Sequence, residues 1–98
     1  MYAGQRQWYL VCYDVRSPKR WRRVYRCMQD FGEPVQLSVF RCRLTKRLFE
    51  EMWKRLESVM AEEDGLLIMP VPEYSLEGMV LKSPRTPWPK KPPSFVII

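Results

Sequence analysis

The chain has 98 residues, a formal charge of +6 and no histidine. That length holds one small domain, which excludes enzymes that set a cofactor domain beside a substrate domain. The missing histidine excludes Ser-His-Asp and Cys-His nucleophile systems and histidine-ligated metals, leaving small nucleases, binding modules and subunits of assemblies.

Residues 8 to 14, WYLVCYD, are a dense apolar run that reads as a strand buried on both faces. Trp8, Leu10 and Cys12 point one way and Tyr9, Val11 and Tyr13 the other, and the strand ends on Asp14. Ser17 and Pro18 are a good N-cap and first helical residue, and a helix is predicted from there to about Phe31. Its apolar stripe is Trp21, Val24, Tyr25, Met28 and Phe31; Lys19, Arg22, Arg23 and Arg26 lie on the other side. Gly32 is expected to end the helix and Pro34 to keep it ended. Residues 35 to 44, VQLSVFRCRL, alternate as one strand, with Val35, Leu37 and Val39 on one face and Gln36, Ser38, Phe40 and Cys42 on the other. Thr45 caps a second helix expected to reach about Glu62, broken by Asp64 and Gly65. LLIMPV at 66 to 71 is a buried strand, 73 to 77 a loop, and GMVLK at 78 to 82 a weaker strand. Residues 83 to 94 contain five prolines and read as an extended linker leading to the apolar end Phe95, Val96, Ile97 and Ile98, which is expected to add to a sheet as an edge strand.

The domain division is therefore 1–82 for the folded unit and 83–98 for the linker and tail. One sheet with two helices is an α+β, ferredoxin-like layout. Two helices cover one face of that sheet, yet the first strand is apolar on both. A second copy on the bare face, giving a symmetric homodimer, resolves this; a tail folded over that face in a monomer is the competing solution. Cys12, Cys27 and Cys42 form no paired spacing and read as reduced apolar thiols. The start is polar and no apolar run approaches the ~20 residues of a membrane span, so no signal peptide and no membrane association are expected.

Charge is unevenly spread: residues 1 to 47 hold 11 basic and 3 acidic side chains, whereas 48 to 81 hold 2 basic and 8 acidic. A basic first half suits a polyanion such as nucleic acid. Asp14 stands out as a carboxylate at a strand end, followed within nine residues by Arg16, Lys19, Arg20, Arg22 and Arg23. A carboxylate beside phosphate-binding cations suits a divalent metal acting on a phosphodiester. One aspartate per chain is too few ligands, and two copies across a dimer axis supply a pair. Asp64, Glu50, Glu51 and Glu57 read as structural or solvated. Ser38 has no base to activate it and is given a hydrogen-bonding role; Phe40 and Tyr13 are the aromatics placed where base stacking is conceivable.

The segments YLVCYDV at 9 to 15, KRWRRV at 19 to 24, Gly32, VQLSVFRCRL at 35 to 44 and DGLLIMPV at 64 to 71 together resemble the CRISPR-associated protein two family over roughly residues 8 to 82. The resemblance implies a ferredoxin-like βαββαβ sandwich with an extra C-terminal strand, dimeric through its sheets. The second and third strands would then both fall within 35 to 44, where the local sequence has no obvious turn. It implies that Asp14 lies near the dimer axis as catalytic and metal-binding residue, two copies sharing one Mg2+, with Mn2+ as a substitute. Arg16, Lys19, Arg20, Arg22, Arg23, Arg26, Ser38 and Phe40 would contact nucleic acid. Some members of the family are metal-dependent endonucleases on RNA or DNA; others are non-catalytic scaffolds that hold DNA for the CRISPR integrase in spacer acquisition. The expected partners are a second copy, nucleic acid and the integrase subunit, in a prokaryotic cytoplasm. The chain departs from the family at Glu33, Pro34 and Val35, where many members are basic, and at Ile68, Met69, Pro70 and Val71, where many have a tyrosine.

Overall fold

The computed structural model describes residues 5–82 and 96–97. Strand β1 (Gln7–Asp14) leads through a three-residue connection to helix α1 (Pro18–Gln29), then β2 (Gly32–Gln36), β3 (Val39–Leu44), α2 (Lys46–Val59) and β4 (Gly65–Val71). The four strands form one antiparallel sheet in the order β2-β3-β1-β4. With α1 and α2 packed on one face, this is the ferredoxin-like βαββαβ arrangement expected from the sequence.

Both helices start where their caps dictate. The Ser17 hydroxyl accepts the Arg20 amide N–H at 3.3 Å and the Thr45 hydroxyl accepts that of Leu48 at 3.2 Å, caps worth about 1 kcal/mol each. The apolar stripes then fix which side each helix buries. Val24, Cys27 and Met28 of α1 and Met52 and Leu56 of α2 close over Val11, Tyr13, Phe40, Cys42 and Leu44 of the sheet. Tyr25 meets Phe40 edge-on at 5.3 Å and Tyr9 tilts against Phe49 at 4.8 Å. Arg55 of α2 bonds Asp30 at the end of α1 (2.8 Å) while its guanidinium lies over the Phe31 ring. Phe31 itself lies just past α1, in the turn rather than on the helix stripe.

The segment after α1 departs from the alternating run expected over 35 to 44. Gly32 is the first residue of β2, not the helix stop; α1 has already ended at Asp30. A Cβ at Gly32 would lie 2.3 Å from the Arg41 carbonyl oxygen and 2.6 Å from Cys42 Sγ, so only glycine lets β2 approach β3 this closely. Leu37 and Ser38 form a two-residue turn, and the register shifts between Pro34 and Gln36. That shift buries Val35, while Phe40, Cys42 and Leu44 form the buried side of β3. Among the described residues none takes a positive φ, so the turn is not one of the types that demand glycine or asparagine and announce themselves in a sequence.

Two further boundaries move. Helix α2 stops at Val59, short of Glu62, because the Asp64 carboxylate captures the Ala61 N–H at 2.8 Å. Residues 73 to 77, expected as loop, form a short helix α3 (Glu73–Glu77), followed by β5 (Val80–Leu81). Within the tail, β6 (Val96–Ile97) pairs in parallel with β5 of the same chain; the proline-rich linker lies outside the described residues. Leu76 and Met79 pack with Trp8, Leu10 and Val71 on the sheet face away from α1 and α2. The rest of that face stays bare: Leu67 is 56% and Met69 44% exposed.

The Gly32→Ala variant should lose about 1–3 kcal/mol, the usual cost of forcing a methyl group into a filled space. A urea midpoint equal to that of the unaltered chain would contradict this placement of β2.

Candidate nucleic-acid interface and carboxylate site

Asp14 is the last residue of β1 and its side chain is exposed. By strand alternation it shares a face with Trp8, Leu10 and Cys12, the face turned away from the helices. Its cross-strand neighbour is Gly65, first residue of β4. Cys12, Tyr13, Asp14, Gly65, Leu66 and Leu67 line an open depression of 310 Å³ there.

The cations that follow divide into two groups. Lys19, Arg22, Arg23 and Arg26 are all exposed on α1, and their spacing puts them on one side of the helix. Arg16 is exposed in the loop between Asp14 and the helix. Among the described residues none of these five takes part in an ion pair. The first turn of α1 has no acidic residue, so the helix dipole opposes its Lys19, by about 0.3–1 kcal/mol. Such a row of charges does nothing for folding and is suited to an outside polyanion.

Arg20 is placed differently. Its Nε donates to Asp64 Oδ2 at 3.0 Å and its Nη2 to Asp64 Oδ1 at 3.2 Å and Glu63 Oε1 at 2.9 Å. The Asp64 side chain is 1% exposed. The Arg20 hydrogen bond first, and the Ala61 N–H second, hold the Asp64 carboxyl below the usual carboxylate range.

Ser38 and Phe40 belong to the scaffold. The Trp21 indole N–H donates to Ser38 Oγ at 3.0 Å, and the Tyr13 N–H donates to the Ser38 carbonyl at 3.0 Å. Phe40 is 0% exposed, which corrects the expectation that it offers a ring face to nucleic acid: it pairs with Val11 of β1, on the side of the sheet that the helices cover. Tyr13 is likewise buried, and its hydroxyl donates to the Leu37 carbonyl at 3.0 Å. Burial pushes its phenol up, which keeps that donor protonated. Cys27 and Cys42 are buried free thiols, while Cys12 lies half-exposed on the bare face; burial pushes the Cys42 thiol up to about 12.

Sequence reasoning missed Gly65 and the Arg20–Asp64 pair. The one available signal was that Arg20 falls off the line joining Lys19, Arg23 and Arg26 on the helix surface. The order of strands, the open carboxylate at the end of β1 and the cationic helix after it define the class: a basic ferredoxin-like domain with an accessible aspartate at the end of its first strand. Residues 7–79 match the family model described as CRISPR associated protein Cas2, and the chain belongs to that family.

Named relatives and solved structures agree with that membership. The chain is similar to CRISPR-associated endoribonuclease Cas2 1 of Rhodospirillum rubrum, 44% identical over 61 residues that span 62% of this chain and 60% of that protein. It is also similar to CRISPR-associated endoribonuclease Cas2 3 of Synechocystis sp., 33% identical over 92% of this chain and 97% of the relative. The crystal structure of Streptococcus pyogenes Cas2 superposes with a TM-score of 0.63 and 33% identity, over 67% of this chain and 87% of that one. A hypothetical protein from Thermus thermophilus does so with a TM-score of 0.67 and 35% identity, over 68% and 83%. No helix among the described residues is long and apolar enough to cross a membrane.

Because the folded Asp64 carboxyl sits below its ordinary value of 3.8, its stabilisation is complete above that pH and disappears as pH falls through the folded value. The urea midpoint of the unaltered chain should therefore drop more steeply between pH 5 and the folded value than that of Asp64→Asn. Parallel pH curves for the two proteins would contradict the pairing.

Proposed function

We propose that this chain is a metal-dependent endonuclease of the CRISPR adaptation machinery, cutting phosphodiester bonds of RNA or DNA as a two-fold dimer. The observation that carries the reading is the exposed Asp14 carboxylate beside an open depression, with exposed cations on the adjoining helix that form no ion pair among the described residues. The endoribonuclease names of the relatives support the same reaction class.

Within one chain, no three His, Cys, Asp or Glu side chains among the described residues come together to hold a metal. Magnesium takes one or two carboxylates, keeps several waters and uses substrate phosphate as a further ligand. Asp14 from two copies fits that demand, with manganese as a substitute. Bound there, the ion would supply charge neutralisation at the phosphoryl group and an acidified water. The chain's own residues do the rest. Arg16, Lys19, Arg22, Arg23 and Arg26 hold the phosphate backbone, and the Asp14–Gly65 end of the depression admits it to the carboxylates.

The bare sheet face supplies the dimer contact. Leu67, Met69 and Cys12 form an apolar strip that continues to Asp14 along β1 and β4, so a second copy seated on it brings the two carboxylates together at the axis. Sedimentation should give about twice the 11.9 kDa chain mass; a monomer at micromolar concentration would sink both the dimer and the shared metal.

The single carboxylate per chain also favours a second reading, a DNA-holding scaffold for the integrase subunit in a prokaryotic cytoplasm, using the same cations. Hydrolysis of labelled RNA and duplex DNA with and without magnesium separates the two. Asp14→Asn should abolish magnesium-dependent cleavage while leaving nucleic-acid affinity nearly intact. Equal cleavage by the unaltered chain and a pure Asp14→Asn preparation would contradict the nuclease reading, and binding without cleavage would establish the scaffold.

A further inference from the structure

Asp14 terminates a strand, and a strand end is where backbone order is ordinarily lost first. Here the chain closes a ring around it. From Asp14 the backbone passes through Val15, which is buried in the core, to the helix cap Ser17 and to Arg20 in the first turn of α1. Arg20 grips Asp64 through two hydrogen bonds of 3.0 and 3.2 Å. Asp64 is joined by one peptide bond to Gly65, and Gly65 pairs back to Asp14 as the last rung between β1 and β4. The grip is itself well seated: the Asp64 side chain is 1% exposed and accepts the Ala61 N–H as well, at 2.8 Å.

Gly65 adds a second constraint. A Cβ at that position would stand 3.4 Å from the Asp14 Cβ, in van der Waals contact with it. A side chain there would lie against the base of the carboxylate and occupy part of the depression beside it.

Resting on the reading of Asp14 as the catalytic carboxylate, we propose that Arg20 and Asp64 are positioning residues that anchor Asp14, and that Gly65 keeps its approach open. Arg20 accordingly differs in role from Arg22 and Arg23. Its guanidinium is committed to a buried carboxylate inside the domain, whereas theirs face solvent. Magnesium-supported chemistry is sensitive to displacements of about an ångström in the groups that aim it, so a loosened strand end would act on turnover rather than on binding.

The test compares the full chain with Arg20→Lys, Asp64→Asn and Gly65→Ala. Each is measured for magnesium-dependent cleavage of labelled RNA and duplex DNA, for binding of the same nucleic acids in EDTA, and for hydrogen exchange across residues 12–16. Positioning requires Arg20→Lys and Asp64→Asn to behave alike. Their kcat should fall on the order of tenfold to a hundredfold, with KM and affinity in EDTA within about twofold of the unaltered chain and faster exchange across 12–16. Gly65→Ala should lower kcat with exchange unchanged, because it narrows the approach without freeing the strand end. A phosphate-contact role for Arg20 gives opposite signs: Arg20→Lys would raise KM, while Asp64→Asn would release the guanidinium and tighten binding. That result would overturn the proposal, as would unchanged exchange in Asp64→Asn or unchanged kcat in Gly65→Ala. Failure of the catalytic reading of Asp14 is distinguished by equal cleavage in the unaltered chain and Asp14→Asn; the exchange measurements still decide whether the anchor exists.

Discussion

Strand β1 has to satisfy four demands at once. It is hydrogen-bonded along both edges, to β3 and to β4. Its residues Tyr9, Val11 and Tyr13 face the helices, and Trp8, Leu10 and Cys12 face away. A strand with two apolar faces sets the whole architecture, since each face needs a cover. The helices cover one. Leu76 and Met79 cover only part of the other, and the stretch left open is the stretch that ends on Asp14. The incomplete cover and the accessible carboxylate are thus two results of one strand's composition.

Electrostatics follow the same division between what folds the chain and what the chain presents. Two ion pairs, the largely buried Arg20 with Asp64 and the exposed Arg55 with Asp30, tie α1 to the elements packed beside it. The cations left over on α1 are exposed and without such partners among the described residues. One helix therefore serves the core with its apolar stripe, the site with Arg20, and the solvent with the rest. Its composition looks uniformly basic, but the side chains are not interchangeable.

The parts of this arrangement that could be read from the sequence are those with a strong local cause. The doubly apolar run at 8 to 14, the Ser17-Pro18 helix start and the Thr45 cap each act within a few residues, and each stands where expected. The hairpin of β2 and β3 was illegible for an equally physical reason. Its turn at Leu37–Ser38 carries no glycine, proline or asparagine, and its register shift at Val35 reverses the alternation on which faces are assigned. Phe40, a candidate stacking residue by its sequence, pairs with Val11 on the helix-covered side, in the centre of the core. Gly32 was legible as a special position but for the wrong contact: the constraint comes from Arg41 and Cys42 across the sheet. The Arg20–Asp64 pair was not legible because Asp64 lies beyond the end of α2, and composition gives no hint of that proximity.

The rung that joins Asp14 to Gly65 brings together chain segments with two helices and a hairpin between them. Contacts of such sequence separation are costly to close and form late, after local structure is in place. A chain emerging from the ribosome with its first half complete already carries the residues of β1, α1 and their row of cations. It does not yet have the edge that frames Asp14, because β4 has still to be made. The residues that carry the cations are thus made before the carboxylate's setting can exist, and the ordered strand end is withheld until the domain is whole.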